Sequence, residues 1–156
     1  MWSRDLSDLL LPVKLAATAH AKLCADNGIT IIETSTYRSS GEQAKLYAIG
    51  RTEPGSIRTN AKPGKSFHQY RVARDVVPIV DGKAVWDDFE LWQRIGALGE
   101  QVGFEWAGSW KTFREFPHFQ VTAGLGTKEF SKMAVNEAEL AVFSWLENKN
   151  FMTAIG

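Results

Sequence analysis

Residues 66–75 read SFHQYRVARD and residues 115–120 read EFPHFQ, and we expect these two distant segments to meet at the centre of the fold. They hold two imidazoles, His68 and His118, and one carboxylate, Asp75. Imidazole nitrogen and carboxylate oxygen form a ligand set that suits a catalytic zinc ion, and three protein ligands leave the fourth position to water. The two segments therefore predict a zinc hydrolase.

Glu115 lies three residues before His118, where its carboxylate could act as the general base that takes a proton from that water. Taken alone, Glu115 would be a surface acid ahead of a turn, and a single histidine is usually structural. The spacing of seven would place His68 and Asp75 on opposite faces of one strand. We therefore expect the chain to bend between them. The third histidine, His20, has no acidic or histidine neighbour in its helix and is predicted to be structural.

The pattern Ser66-x-His68-x6-Asp75, followed by Pro117-His118-Phe119-Gln120, resembles the zinc peptidases that include D-Ala-D-Ala carboxypeptidases and phage L-alanyl-D-glutamate endolysins. The likeness covers residues 28–125 and includes Thr36-Tyr37-Arg38-Ser39, Glu42-Gln43, Trp106 and Trp110. It implies that His68, Asp75 and His118 bind Zn²⁺, that Glu115 is the base, and that Arg38 stabilises the scissile carbonyl.

Five further residues are expected to contact or support the substrate: Ser66, Gln43, Trp106, Trp110 and Tyr70. Gln43 is included by analogy with the family, and the aromatic residues because they supply rigid contact area for a peptide. Each has a plainer explanation. A loop serine can serve turn geometry, the amide of Gln43 can lie on a helix surface, and tryptophans in a small chain more often belong to the core.

Two departures from the family pattern concern the same site. Arg71 stands where the family usually has glycine, and a large cation is a poor substitute where a positive φ or a close backbone approach is needed. A cation close to the metal could block the groove, which would favour a wall-binding module that keeps the metal without turnover. The base is also more often Asp than Glu in the endolysin branch.

Length and composition favour one globular domain over residues 1–156. The 18 basic and 18 acidic side chains cancel, so nothing indicates a nucleic-acid partner. The single cysteine, Cys24, cannot form an internal disulfide. Cys24 and His20 could share a helix face as nucleophile and base, but no Gly-x-Ser-x-Gly elbow accompanies them and a buried cysteine is the simpler reading.

No apolar run has the ~20 residues of a membrane span, and residues 1–5 begin no secretory signal. We therefore expect synthesis in the cytoplasm without membrane insertion. If the substrate is the cell wall, we expect release to the periplasm through a separate holin-type protein. We expect a monomer.

Local patterns predict the secondary structure. Two helices are expected over residues 4–27, a strand over 29–35, a short helix capped by Ser40, and a long functional loop over 51–66. An apolar strand over 72–80 leads through Asp81-Gly82 into a short strand over 83–86. The sequence further predicts an amphipathic helix from Asp87 or Asp88 to Gly103, strands at 104–106 and 118–121, and a C-terminal helix over 127–148.

These elements predict an α+β fold with a small, mostly antiparallel sheet flanked by helices. The family resemblance implies that this fold is similar to those of hedgehog proteins and DD-peptidases. The expected activity is zinc-dependent hydrolysis of the peptidoglycan stem peptide at the L-Ala–D-Glu bond, as in a bacteriolytic phage endolysin. The alternatives are a D-Ala-D-Ala carboxypeptidase and the non-catalytic wall-binding module.

Overall fold

The structure is a computed structural model that describes residues 2–156. An antiparallel sheet of five strands lies at its centre. The strands are β1 (Thr30–Ser35), β2 (Ala73–Val80), β3 (Lys83–Ala84), β4 (Glu105–Trp106) and β5 (His118–Gln120). Their order is β1-β2-β5-β4, and β3 pairs with β2. Every pairing is antiparallel.

Helices flank this sheet, and the predicted α+β fold with a small antiparallel sheet is confirmed. The helices are α1 (Leu11–Asp26), α2 (Ser40–Ala48), α3 (Phe89–Glu100), α4 (Thr127–Phe130), α5 (Val135–Asn148) and α6 (Met152–Ile155). Three short 3-10 turns cover Leu6–Asp8, Phe67–Tyr70 and Ala107–Ser109. None of the helices within residues 2–156 combines the length and apolar content needed to cross a bilayer.

Strand β2 is the central strand because it pairs with β1, β3 and β5. Its apolar residues make it suitable for burial between neighbours, as the sequence predicted. The turn to β3 uses Asp81 and Gly82 at φ values of 51° and 76°, the left-handed conformation that this dipeptide favours. The pattern therefore identified the hairpin correctly, although β3 ends at Ala84 and is shorter than expected.

The prediction of two N-terminal helices over residues 4–27 is wrong for the first helix. Residues Leu6–Asp8 form only one 3-10 turn, which begins with the Asp5 side chain accepting a hydrogen bond from the Ser7 amide. The chain then extends at Leu9, and α1 starts at Leu11 with Pro12 in its first turn. Proline suits that position because its missing N–H would have no helical partner there.

Two other helix predictions need correction. The N-cap of α2 is Ser39, not Ser40, and Ser39 and Glu42 form a reciprocal capping box. The predicted single helix over residues 127–148 is broken, since α4 ends at Phe130 and α5 begins at Val135. Phe130 is buried against the rings of Phe67 and Tyr70, so the chain must turn before α5 can pack.

A buried polar chain joins β1, β2, α1 and α3. Arg74 is fully buried and pairs with Glu33, and its Nη1 donates to Nδ1 of His20 at 2.7 Å. Because an arginine can only donate, Nδ1 of His20 accepts, and its Nε2 donates to the Ile95 carbonyl at 2.9 Å. Burial and then the charge of Arg74 lower the pKa of His20 to about 3. His20 is therefore a neutral structural residue.

Replacing His20 with glutamine is expected to flatten the acid dependence of stability. Native His20 stays neutral while the unfolded histidine takes up a proton below its ordinary pKa of ~6.5. The folded state therefore loses stability as pH falls, by about 1.4 kcal/mol per pH unit from this group alone. Urea unfolding of the metal-free proteins between about pH 6 and pH 5 measures the two slopes. Equal slopes for wild type and His20→Gln would contradict a neutral native His20.

Candidate metal centre

Sheet pairing brings Asp75 and His118 together. They are direct cross-strand partners in β2 and β5, and Nδ1 of His118 lies 3.1 Å from Oδ1 of Asp75. Side chains alternate along a strand. Phe119 therefore enters the core, whereas His118 and Gln120 share the face of β5 that carries the site.

His68 reaches the same point from the 3-10 turn before β2. Ser66 begins this turn, and its Oγ accepts a hydrogen bond from the His68 amide at 3.3 Å. The turn ends at Arg71, whose φ of 64° is left-handed, and β2 starts two residues later. This is the bend that the spacing required. Nε2 of His68 lies 3.3 Å from Oδ1 of Asp75.

The ligand atoms of His68, Asp75 and His118 all lie within 4.8 Å of one another, so the three residues could hold one metal ion. The outer nitrogens of both imidazoles have acceptors. Nδ1 of His68 donates to the Thr36 carbonyl at 2.9 Å, and Nε2 of His118 donates to Oε1 of Gln120 at 2.8 Å. Both inner nitrogens are thereby left available to a metal, which is how metal-binding histidines are normally held.

Gln120 supports the site through His118, although no prediction from the sequence assigned it a role. Its amide nitrogen donates to Oε2 of Glu105 at 3.1 Å, so its oxygen must face His118. The same Glu105 oxygen accepts a hydrogen bond from the indole of Trp110 at 2.9 Å. The signal was present in the sequence, since Gln120 lies two residues from His118 in a strand and must share its face.

The site attracts cations. Burial would raise the pKa of the Asp75 carboxyl, but the charge of His68 and the hydrogen bond with His118 hold that pKa well below its ordinary value. Burial would lower the pKa of His118, yet its hydrogen bond with Asp75 and the charges of Asp75 and Glu115 raise it. Protons therefore compete with a metal for these nitrogens, and metal affinity should fall as pH falls.

Arg38 is buried beside the three candidate ligands. Its guanidinium donates to Gln43 Oε1 at 3.0 Å and to Ser35 Oγ at 3.1 Å, and lies 3.9 Å from the Asp75 carboxylate. A bulge between Glu33 and Ser35 sets Ser35 opposite Asp75, which aims its hydroxyl at Arg38. Burial lowers the pKa of Arg38, against the charges of nearby carboxylates. Arginine nevertheless stays protonated, so a fixed cation faces the site.

Glu115 lies next to this centre but is more exposed. Its Oε2 is 3.9 Å from Nδ1 of His118, and about half of its side chain (52%) is accessible to solvent. Phe116 follows Glu115 in the chain, and its carbonyl accepts a hydrogen bond from the indole of Trp106 at 2.8 Å. This contact anchors the segment that carries Glu115. Glu115 can therefore reach a water molecule at the site while its side chain stays in contact with solvent.

A cavity of about 910 Å³ opens over these residues. Of the five predicted substrate-contact or support residues, Ser66 and Trp110 line it, whereas Gln43, Tyr70 and Trp106 do not. Gln43 is buried and holds Arg38, and the Tyr70 hydroxyl donates to the Gly64 carbonyl at 2.8 Å.

Trp106 belongs to the core rather than to the predicted groove wall. Its ring lies between Gly96 and Gly108, where an added Cβ would come within 2.3 Å and 2.1 Å of the indole. Those two glycines make room for the ring, and 6% of the residue is exposed. The plainer explanation, that this tryptophan is structural, describes its position correctly.

From the sequence alone, Arg71 could block the groove beside the metal, and the position of its side chain contradicts this. Its φ of 64° is left-handed, a conformation that glycine adopts with less strain than arginine. Its side chain leads away from the cavity, donating to the Asp8 carbonyl at 2.8 Å and lying 4.0 Å from the ring centroid of Tyr37. Arg71 does not line the cavity, so it does not block the groove.

Three aromatic residues that the sequence did not single out also line the cavity: Trp2, Trp86 and Phe113. The Trp2 ring lies 4.8 Å from the guanidinium carbon of Arg38, and its indole donates to the Thr34 carbonyl at 3.1 Å. No local pattern connects Trp2 with Arg38, because the whole of α1 and β1 lies between them in the sequence. The predicted loop over residues 51–66 does border the cavity, through Arg58, Lys65 and their neighbours.

Comparison with known proteins relates the chain to cell-wall peptidases. Residues 59–121 match a family model described as D-alanyl-D-alanine carboxypeptidase. The chain is 36% identical over 124 residues to the peptidoglycan L-alanyl-D-glutamate endopeptidase CwlK of Bacillus subtilis, covering 74% of each chain. It is 30% identical over 140 residues to the L-alanyl-D-glutamate peptidase of Listeria phage A118, covering 85% of this chain and 46% of the phage protein.

The fold has a counterpart among solved structures. The L-Ala D-Glu endopeptidase ChiX of Serratia marcescens superposes with a TM-score of 0.60 at 21% identity, covering 78% of this chain and 89% of ChiX. At that identity the match supports the fold alone.

Proposed function

This chain belongs to the peptidase family that contains D-alanyl-D-alanine carboxypeptidases and L-alanyl-D-glutamate endopeptidases, and from that premise we propose that it is a zinc-dependent peptidoglycan endopeptidase. The bond hydrolysed is the amide between L-Ala and D-Glu of the stem peptide. The two curated relatives described above carry that specificity in their names, and the first is matched over 74% of its length.

One observation carries the metal-dependent mechanism. His68, Asp75 and His118 converge from a 3-10 turn and two strands, and both imidazoles have their outer nitrogens hydrogen-bonded to acceptors. This donor set fits zinc, which prefers imidazole nitrogen and carboxylate oxygen. A bound zinc ion would act as a Lewis acid that activates water and polarises a carbonyl.

The surrounding side chains supply the remaining functions. The carboxylate of Glu115 accepts the proton of the attacking water and delivers it to the leaving amine of D-Glu. The buried guanidinium of Arg38 faces the negative charge that develops on the scissile carbonyl oxygen. Gln43 and Ser35 hold that guanidinium in place, which makes them positioning residues rather than catalytic ones.

The activity is tested by digesting purified peptidoglycan and measuring the fragment masses. An L-Ala–D-Glu endopeptidase severs whole stems and leaves L-Ala on the glycan. A D-Ala-D-Ala carboxypeptidase, the alternative within the same family, releases only terminal alanine. Activity should disappear with a chelator and return on adding zinc. Release of terminal alanine alone would overturn the endopeptidase assignment.

Replacing Gln120 with leucine is expected to lower zinc affinity by about 10- to 100-fold, the usual effect of losing an outer hydrogen bond to a metal ligand. His118 would lose the acceptor that holds its outer nitrogen and so directs its inner nitrogen towards the metal. Competition with a fluorescent chelator measures the affinity. Gln101→Leu, at an exposed position outside the cavity, is the matched control. An unchanged affinity in Gln120→Leu would show that this hydrogen bond does not orient the ligand.

The substrate implies a place of action. The likeness to a phage peptidase supports action on the cell wall. We further propose that the protein is released through a separate hole-forming protein and acts as a monomer. Sedimentation of the purified protein tests the monomer.

A further inference from the structure

The cavity over the metal centre is strongly basic, although the whole chain is neutral. Five basic and two acidic side chains line it, whereas the chain has 18 of each kind. One of the five is Arg38, whose contacts within the site are described above. The other four stand around the cavity: Arg4, Arg58, Lys65 and Arg114.

These four cations lack acidic partners within residues 2–156. Among residues 2–156, none of them forms an ion pair with a carboxylate, while Arg38, Arg71 and Arg74 each do. Arg114 uses its Nε to donate to the Trp110 carbonyl at 2.6 Å, which leaves the other two guanidinium nitrogens free to bind an anion. Unpaired cations that line one cavity raise the local concentration of anionic ligands and favour their binding.

They come from three separate parts of the chain. Arg58 and Lys65 belong to the long loop that follows α2, Arg114 precedes Glu115, and Arg4 lies in the N-terminal segment. Gln43 of α2 donates to the Ala61 carbonyl of this loop at 2.7 Å. The same side chain accepts a hydrogen bond from Arg38. The loop cations are thereby linked to the catalytic arginine.

The proposed substrate carries a matching anion. D-Glu is joined to the next stem residue through its γ-carboxyl group, so its α-carboxylate is free and is attached to the carbon that bears the scissile nitrogen. When that nitrogen lies at the metal centre, the carboxylate must lie in the same cavity. Conversion of this group to an amide, which gives D-isoglutamine, would remove the charge and leave the shape almost unchanged.

We propose that Arg58, Lys65 and Arg114 form a carboxylate subsite that makes the enzyme selective for stems with a free D-Glu α-carboxylate over amidated stems. The inference rests on the proposed function and adds a substrate class to it. A charge-assisted hydrogen bond discriminates more strongly than a neutral one. The expected preference is about tenfold or more in kcat/KM.

The test compares two peptides that differ in one group, N-acetyl-L-alanyl-γ-D-glutamyl-L-lysine and its D-isoglutaminyl analogue. Wild-type protein should prefer the first, and raising the salt concentration from about 0.1 M to about 1 M should reduce the preference by shortening the range of the charges. The triple variant Arg58→Gln, Lys65→Gln, Arg114→Gln should cleave both peptides at similar rates. Its zinc content and its midpoint of thermal unfolding should match those of wild type, which separates lost selectivity from misfolding.

The control variant Lys83→Gln, Lys128→Gln, Lys132→Gln also removes three positive charges, but from exposed positions outside the cavity. It should keep the preference for the peptide with the free carboxylate. Equal cleavage of the two peptides by wild type would overturn the subsite while leaving the endopeptidase assignment intact. An undiminished preference in the cavity variant would overturn the choice of residues. If wild type cleaves neither peptide, the proposed function itself fails.

Discussion

Glu115→Gln is expected to retain the metal ion and lose peptidoglycan hydrolysis. Glutamine keeps the shape of the side chain but cannot accept a proton, so the attacking water loses its base. Removal of a general base typically costs about 10²- to 10⁴-fold in rate. Glu115 lies 3.9 Å from His118 but is not one of the three candidate ligands, so metal content should not change.

The measurement pairs a turbidity assay on peptidoglycan with elemental analysis of the same sample. Glu90→Gln is the matched control, because Glu90 is exposed in the first turn of α3 and does not line the cavity. Wild-type rates in Glu115→Gln would refute the assignment of the base. Loss of the metal in the same variant would instead show that Glu115 helps to hold it.

His118→Ala is expected to lose both the metal and the activity. Alanine removes one of three candidate ligand atoms and also the imidazole that bridges Asp75 and Gln120. The loss of zinc affinity should exceed the ~10- to 100-fold expected when only an outer hydrogen bond is removed. Activity should not return at zinc concentrations that restore Gln120→Leu.

His20→Gln is the matched control for His118→Ala, since it also removes a histidine but one that lies in the buried chain with Arg74. It should retain a full equivalent of zinc at neutral pH. A stoichiometric, tightly bound metal in His118→Ala would overturn the proposed ligand set. Loss of metal in His20→Gln alone would place the site elsewhere.

The elements that the sequence predicted well are those that depend on local patterns. The apolar strand β2, the Asp81-Gly82 turn and the amphipathic helix α3 were all located within a few residues. Asp88 was one of two predicted starting points for α3, and its side chain caps the helix by accepting from the Leu91 amide at 3.1 Å. The errors arose where packing overrides a continuous pattern, as at Phe130, whose burial breaks the expected C-terminal helix.

Trp106 and Arg71 illustrate what local patterns cannot provide. An aromatic residue near a candidate site can equally be a groove wall or a core residue, and the answer here depends on Gly96 and Gly108, which make room for its ring. A cation three residues after a ligand can point toward the metal or away from it. The partners that direct Arg71 away, Asp8 and Tyr37, are far along the chain.

The sequence by itself determined which residues could be ligands and base, because the chemistry of zinc and the spacing of His68, Asp75, Glu115 and His118 are visible without a fold. The family resemblance added Arg38 as the cation. Only the tertiary structure decided how those residues are held. The acceptors behind both imidazoles, the supports of Arg38 and the basic lining of the cavity come from segments brought together by long-range packing. Such contacts leave little trace in local sequence, because they depend on where strands and loops meet in space.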